Sequence, residues 1–213
     1  MGYTPREERK ARLAEAVWEI VLEHGISAVS VRSVAARAGM AVGSLRHLFP
    51  TQSELLEFSA ELMVERATAR VSAVVPGPDL IEYMIEVISE LLPLTPATRR
   101  EFELNLALIA ETPANPGLAR SRDDAHARLL DLFIRLAGFL REEDPAEDGP
   151  CHDGRRLLAL CDGLGLHLLH QPAEADTGWA IGLIREELRR IRAGAEEQSP
   201  GEESSRAGAS PGS

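Results

Sequence analysis

Aromatic and sulfur-containing side chains are scarce in this sequence of 213 residues. Phe, Trp and Tyr together make up 4% of the chain, and the only cysteines are Cys151 and Cys161. Two cysteines without a secretory signal do not make the disulfide framework of a small secreted domain. The chain is long enough to bury a hydrophobic core without covalent cross-links. We therefore expect a fold that is stabilised by a hydrophobic core and not by a disulfide framework.

Long apolar runs are also missing. No stretch approaches the roughly 18 to 20 uninterrupted apolar residues that a membrane-spanning helix needs. The first residues, MGYTPREERKARLAEAV, are charged and lack the apolar segment of a secretory signal peptide. These absences argue against the membrane and secreted classes, and they predict a soluble, cytoplasmic protein.

Positive charge is in short supply, since the formal net charge is −11 at pH 7. Residues 1–50 hold seven Lys or Arg against five Glu, a net charge of +2, so residues 51–213 carry −13. Charges are screened beyond about 8–10 Å at cellular salt, so attraction to phosphate depends on local charge. The acidic remainder weakens non-specific DNA binding without excluding specific binding. An excess of two positive charges over fifty residues is also compatible with chance.

Strand signals are few, whereas helix-start and helix-stop signals recur along the chain. Capping boxes occur at Thr51–Glu54 and at Thr4–Glu7, where Pro5 occupies the first helical position. Together with apolar residues at helical spacing, they predict an all-α fold. We predict nine helices, over about residues 5–25, 30–39, 41–47, 51–76, 79–92, 95–112, 125–139, 155–170 and 176–192. The acidic stretch from Glu142 to Asp153 is predicted to be a surface loop.

The segment from Ser30 to Leu56, SVRSVAARAGMAVGSLRHLFPTQSELL, carries the main functional signal. Two short predicted helices flank a turn at Gly39, which can adopt a positive φ, and a longer helix lies on each side. Ala35 is small where the short helices approach, and Val34 and Leu45 are predicted to be buried. This is the pattern of a helix-turn-helix, whose second helix enters the major groove of DNA.

The same segment resembles the DNA-binding part of the tetracycline-repressor (TetR) family. The residues that match the family pattern are Ser30, Val34, Ala35, Ala38, Gly39, Met40, Gly43, Ser44, Leu45, Phe49 and Leu55. Three positions depart from it, because Ala41, Arg46 and Gln52 replace the usual Ser or Thr, Tyr and Lys. The resemblance covers about residues 9–60, and the rest of the chain matches only as a series of helices. It implies a helix-turn-helix domain over 1–50 and an effector-binding and dimerisation domain over 51–194. Residues 195–213 contain no core-forming side chains, and we predict that they form a disordered tail.

The resemblance implies roles in DNA binding for individual residues. Arg32 is the candidate to read a base, because arginine pairs bidentately with guanine; an ordinary surface arginine is the alternative. Val42 and Gly43 are expected to face the bases, although burial of Val42 in the core remains an alternative. The residues expected to contact phosphates are Ser30, Ser44, Arg46, His47, Thr51 and Gln52.

The resemblance also implies a homodimer in which the eighth and ninth helices of two subunits form a four-helix interface. A monomer whose core these two helices complete is the alternative. A small-molecule effector is expected among helices five to eight. The candidate residues for lining its pocket are Tyr83, Phe102, Asn105, His126, Phe133, Asp162 and His167. For each of them a place in the core, in an interface or on the surface is the alternative.

Together these features predict a one-component transcriptional regulator. We expect a repressor that binds a palindromic double-stranded DNA operator and is released by an effector of unknown class. We expect no cofactor and no metal: His167 and His170 are three residues apart, but no Cys-x-x-Cys or His-Glu-x-x-His motif supports them. The sequence has no glycine-rich phosphate loop and no catalytic Ser/His/Asp pattern, so we expect no enzyme. A helical enzyme and a protein-interaction module with a vestigial helix-turn-helix are the alternatives.

Overall fold

The computed structural model describes residues 5–198, and every regular element in that range is helical. The prediction of an all-α fold is thereby confirmed for this part of the chain. The elements are α1 (Pro5–His24), a 3-10 turn (Ile26–Ala28), α2 (Val31–Arg37), α3 (Val42–Leu48), α4 (Gln52–Ala73), α5 (Leu80–Ser89), α6 (Pro96–Glu111), α7 (Pro116–Arg141), α8 (Asp148–Leu169) and α9 (Gly178–Gln198). No helix in the described range is long and apolar enough to cross a membrane.

The starts of the helices follow the capping signals in the sequence. Thr51 Oγ1 accepts a hydrogen bond from the Glu54 backbone N–H, and the Glu54 carboxylate accepts one from the Thr51 N–H. Asp79 Oδ1 accepts hydrogen bonds from two backbone N–H groups at the start of α5. Such caps satisfy donors that would otherwise lack a partner within the helix. Thr4, predicted to cap α1, lies outside the described residues.

Apolar side chains form two cores, which share α4 and α7. The N-terminal core joins α1, α2, α3 and the first half of α4 to parts of α6 and α7; its buried side chains include Val17, Leu45, Leu55, Leu104 and Leu118. The C-terminal core joins α5, α7, α8 and α9 to the end of α4, where Val71 packs against it; its buried side chains include Met84, Phe133, Leu157, Ile184 and Leu188. The N-terminal core continues along α4 as far as Met63, and a domain boundary at residue 50 stays a prediction.

Two predicted boundaries in the second half of the chain are wrong. Helix α7 begins at Pro116 rather than near residue 125, with Asn115 as its cap. Helix α8 begins at Asp148, so residues 148–153 are helical and do not belong to the predicted surface loop. Pro150 is compatible with this helix because it lies in the first turn, where a backbone N–H has no helical partner.

Asp153, predicted to lie in that exposed loop, is instead buried, with 4% of its surface exposed. Its two carboxylate oxygens accept hydrogen bonds from Arg141 of α7 at 2.9 Å and from Arg190 of α9 at 2.7 Å. Asp153 therefore links three helices of the C-terminal core.

The last helix is longer than predicted. It continues to Gln198, so the predicted disorder from Ala195 onward is wrong for the backbone of residues 195–198. The rest of the predicted tail, residues 199–213, lies outside the described residues.

Candidate nucleic-acid interface

Helix α2 packs on α1 through apolar residues and is capped by two serines. Val34 and Ala35 are fully buried. Ser30 Oγ accepts a hydrogen bond from the Ser33 backbone N–H at 3.0 Å, and Ser33 Oγ accepts one from the Ser30 N–H at 2.9 Å. The Ser30 hydroxyl, predicted to contact phosphate, therefore also caps α2.

The turn between α2 and α3 has the geometry that the glycine predicted. Gly39 has a φ of 65°, a conformation that is strained for residues with a Cβ. The Met40 backbone N–H donates to the Ala35 carbonyl at 2.8 Å and closes the turn. The turn thus fixes the direction in which α3 leaves α2.

Helix α3 has one buried side chain and an otherwise exposed surface. Leu45 is fully buried and attaches α3 to the N-terminal core. Val42 is 38% exposed and is therefore not a core residue, which was the alternative to its contact with DNA. The other predicted contact residues of α3, all exposed, are Gly43, Ser44, Arg46 and His47. Leu48, to which the sequence pattern assigned no role, is 51% exposed at the end of the same helix.

The arginines of the helix-turn-helix fall into two groups. Arg37 is held on α1, where its guanidinium contacts Glu19 at 2.9 Å and Glu23 at 2.7 Å. This pairing lowers the pKa of Glu23 below its ordinary value. Arg32 and Arg46 are exposed and form no ion pair with any described residue. Their guanidinium groups are therefore available to an anionic partner.

The start of α4 is fixed by its own side chains. Gln52 Nε2 donates to the Ile26 carbonyl at 3.0 Å, which ties α4 to the 3-10 turn ahead of α2. Gln52 is predicted to contact phosphate, and one of the two N–H groups of its side-chain amide is thus already used within the subunit. Thr51 is exposed and caps α4.

Helices α1 and α4 are connected by polar as well as apolar contacts. Trp18 Nε1 donates to the Ser59 carbonyl at 3.2 Å. The guanidinium of Arg66 lies 4.7 Å from the centre of the Trp18 ring and pairs with Glu15. These contacts join α4 to the helix that supports α2, so we expect the N-terminal helices and the first half of α4 to move together.

The far end of α4 is anchored to the C-terminal half. Arg70 donates from Nε to Glu90 at 3.2 Å and from a terminal nitrogen to Glu101 at 2.6 Å. The same guanidinium also donates to the Glu90 carbonyl at 3.2 Å. Arg70 therefore connects the last turns of α4 to the end of α5 and to α6.

A cavity of about 240 Å³ lies between these two attachments, where α4 faces α6 and α7. Apart from Thr112, the buried residues of its wall are apolar, and its charged residues are exposed, so we call the exposed, charged side of the cavity its mouth. The polar residues of its wall include Glu61, Glu65, Asn105, Ser121, Asp124 and Arg128. This cavity is formed by α4, α6 and α7, whereas the sequence predicted a pocket among helices five to eight.

The seven residues predicted to line an effector pocket are not brought together. Asn105 lines the cavity described above. Phe133 is 1% exposed within the C-terminal core, where the half-buried Tyr83 also packs. Phe102 packs against α8, since a Cβ added at Gly165 would lie 2.3 Å from its ring.

The remaining three predicted residues are exposed. His126 lies on α7, and Asp162 and His167 lie on α8. Although Asp162 lies at the surface, partial burial of its carboxyl raises its pKa, and nearby His126 opposes the shift. The neighbouring thiol of Cys161 is buried, and this burial raises its pKa to about 12. A role for these side chains in effector binding stays a prediction.

An open groove runs between α8 and α9. It is lined by Gly163 and His167 of α8 and by Trp179 and Leu183 of α9. Trp179 is 37% exposed and Leu183 is 42% exposed, and a Cβ added at Gly163 would meet no atom within 4 Å. This α8–α9 groove is a largely apolar surface, with His170 and Gln171 also in its lining, and it has no partner among residues 5–198.

The helix-turn-helix on an all-helical body defines the class as a DNA-binding regulator, and comparisons with known proteins identify the family. Residues 13–57 match the signature described as "Bacterial regulatory proteins, tetR family". Residues 82–193 match the signature of the "BetI-type transcriptional repressor, C-terminal". The chain belongs to the TetR family of transcriptional regulators.

Individual relatives agree with this assignment. The HTH-type transcriptional regulator PksA of Bacillus subtilis (strain 168) is 33% identical over 80% of this chain and 83% of its own length. The HTH-type transcriptional repressor KstR of Rhodococcus jostii (strain RHA1) is 30% identical over 67% of this chain and 65% of its own length. The crystal structure of a transcriptional regulator from Rhodococcus sp. Rha1 has a TM-score of 0.75 and 28% identity, covering 87% of this chain and 96% of that one.

Proposed function

We propose that this protein is a repressor that binds a palindromic DNA operator as a homodimer in the cytoplasm and leaves it when a small effector binds. The observation that carries the proposal is the exposed face of α3 together with Arg32 and Arg46, which have no ion-pair partner in the described chain. KstR, one of the relatives, is itself described as a repressor. The relatives are regulators, and we propose no catalytic role.

In the proposed complex, α3 lies in the major groove. Arg32 pairs with a guanine, and the exposed Val42 contacts a thymine methyl while Gly43 allows close approach. Phosphate contacts fix the position of the helix without reading sequence. We assign them to Ser30, Ser44, Arg46, His47, Thr51 and Gln52, with the backbone at the start of α4 assisting.

The α8–α9 groove is our proposed dimer interface. Contiguous apolar patches on a protein surface mark protein contacts, and small residues such as Gly163 allow helices to approach closely. Two subunits related by a two-fold axis would place two copies of α3 at half-sites about 34–36 Å apart, one helical turn of DNA.

A charge placed in the groove tests the interface. We expect Leu183→Glu to convert the dimer to a monomer in sedimentation velocity, because an unpaired carboxylate would be buried between subunits. The matched control is Phe139→Glu, which alters a side chain that is 67% exposed on α7. An unchanged dimer in Leu183→Glu, or dissociation in both variants, would place the interface elsewhere.

Helix α4 is the proposed route from effector to DNA. The Arg70 contacts fix one end, and the Gln52 contact joins the other end to the helix-turn-helix. These residues are about 27 Å apart at 1.5 Å per residue, so a rotation of about 5° about Arg70 moves Gln52 by about 2 Å. In a dimer the two copies of α3 would change their separation and no longer fit successive major grooves.

Selection from genomic fragments, followed by footprinting, tests the function directly. We expect the full-length chain to select duplexes with a two-fold symmetric sequence and to protect two adjacent major-groove segments. Affinity should fall log-linearly with salt, because phosphate contacts release counterions. Uniform weak binding to every fragment would instead favour an interaction module with a vestigial helix-turn-helix.

A further inference from the structure

We infer that the cavity between α4, α6 and α7 binds a small organic ammonium ion with an apolar body. That this ligand is also the effector rests on the proposed function, whereas its binding to the cavity does not. The size of the cavity, its polar groups without partners and the charges at its mouth all support this assignment.

The size of the cavity limits the ligand. Its volume of about 240 Å³ is below the roughly 300–1,000 Å³ of pockets for drug-sized ligands. The apolar part of the wall includes Met63, Val64, Leu108 and Leu118. A short hydrocarbon chain or a single ring therefore fits, and a large polycyclic compound does not.

Two neutral polar side chains in the wall have unused hydrogen-bonding capacity. Asn105 of α6 and Ser121 of α7 are half-buried, and neither makes a hydrogen bond within the described chain. Their neighbour Thr112 differs, since its hydroxyl donates to the Ile109 carbonyl and accepts from Arg122. Asn105 and Ser121 are thus free to accept N–H bonds from a ligand.

The charges at the mouth favour a cation. Glu61 and Glu65 are four residues apart on α4, and Asp124 of α7 lines the same cavity; none has an ion-pair partner among the described residues. Of the two arginines in the wall, Arg122 is already bound to Asp123 and Thr112. Within the described part of the chain, three carboxylates therefore oppose the one remaining guanidinium of the wall, that of Arg128.

The position of the cavity on α4 connects ligand binding to the proposed regulation of DNA binding. Glu61 and Glu65 lie on α4 between the Gln52 and Arg70 attachments. Met63, which lines the cavity beside them, is also part of the N-terminal core. A cation drawn between α4 and α7 would act on the helix that we propose to carry the signal.

Three probes of equal length separate charge from hydrophobicity: n-hexylammonium, 1-hexanol and hexanoate. In calorimetric titrations of the full-length chain without DNA, we expect hexylammonium to bind at least tenfold more tightly than hexanol, and hexanoate to bind most weakly. The double variant Glu61→Gln/Glu65→Gln should remove this preference while hexanol binding stays within twofold. The control Glu86→Gln removes an exposed carboxylate on α5 and should leave all three affinities unchanged.

A variant that fills the cavity checks the location. Ala125→Phe should abolish binding of all three probes, and Asn105→Leu, which keeps a similar volume, should weaken hexylammonium more than hexanol. Equal or tighter binding of hexanoate would overturn the inference, as would hexylammonium binding that ignores the Glu61→Gln/Glu65→Gln change. If the probe binds as expected but no operator is found, the proposed function fails and the site stands. If an operator is found but hexylammonium does not bind, the inferred site fails and the proposed function stands.

Discussion

Loss of the Asp153 side chain should destabilise the C-terminal core, because its carboxylate joins three helices. Its carboxylate accepts from Arg141 at 2.9 Å and from Arg190 at 2.7 Å, and its side chain is 5% exposed. Arg141 is equally buried, at 5% exposure of its side chain. Asp153→Ala would leave this buried guanidinium without one of its carboxylate partners, while Glu143 remains.

The expected size follows from burial. Removing one partner of a buried ion pair costs about 3–5 kcal/mol, and the retained Glu143 contact places Asp153→Ala near 3 kcal/mol. For a chain of this size each kcal/mol lowers Tm by about 2–4 °C, so we expect a loss of about 6–12 °C. Arg190 is 41% exposed, so Arg190→Met should cost no more than about 1 kcal/mol.

Thermal and urea unfolding followed by circular dichroism measure both variants. Protein concentration must be matched, because the Tm of an oligomer depends on it. Asp153→Asn, which keeps the shape but not the charge, should fall between wild type and Asp153→Ala. If Asp153→Ala unfolds within about 1 kcal/mol of wild type, or if Arg190→Met is as damaging, the buried pair does not stabilise the three-helix junction.

Three further predictions concern packing, charge and reactivity. A Cβ at Gly154 would lie 2.6 Å from the Ile134 Cα, so Gly154→Ala should cost about 1–3 kcal/mol, and an unchanged Tm would contradict the close approach of α7 and α8. Because Arg37 lowers the pKa of Glu23, Arg37→Met should lower Tm by its full amount above about pH 5, and this difference from wild type should disappear as the pH falls through the lowered pKa. A difference in Tm that grows in acid would contradict the prediction. Burial raises the pKa of Cys161 to about 12, so iodoacetamide at pH 8 should leave it unmodified in folded protein, as mass spectrometry would show, and rapid labelling would contradict its burial.

The helix-turn-helix was predictable because its requirements are local. Ser30 caps α2, Gly39 supplies the positive φ, and Leu45 is the one apolar side chain of α3 that packs inward. Each follows from residue type and helical spacing over fewer than about twenty positions. Tertiary packing reinforces these preferences here and does not override them.

The start of α8 was mispredicted because acidic residues, glycine and proline occur both in surface loops and in the first turn of helices. Between Glu142 and Asp153 they indicated a loop, yet Pro150 lies where a helix tolerates proline. The burial of Asp153 depends on arginines 12 residues earlier and 37 residues later in the chain, which spacing does not reveal. Long-range ion pairs of this kind are set by packing.

The cavity could not be predicted from the sequence for a similar reason. Periodicity tells which face of a helix is buried, but a cavity requires three helices to leave a gap. Asn105 was the only predicted effector residue that lines it. The contact from Gln52 to the Ile26 carbonyl likewise depends on how α4 meets the 3-10 turn.

Anisotropy titration of the selected operator and a scrambled duplex, across a range of salt concentrations, tests the central claim most directly. We predict that Arg32→Ala weakens operator binding by about 5- to 150-fold and leaves the scrambled duplex nearly unchanged. Arg46→Ala should weaken both and lower the salt slope by about 0.9 for each phosphate that the variant no longer neutralises. Arg155→Ala, which removes an exposed arginine on α8, should match wild type. If all three variants bind operator as wild type does, α2 and α3 do not form the DNA-binding surface.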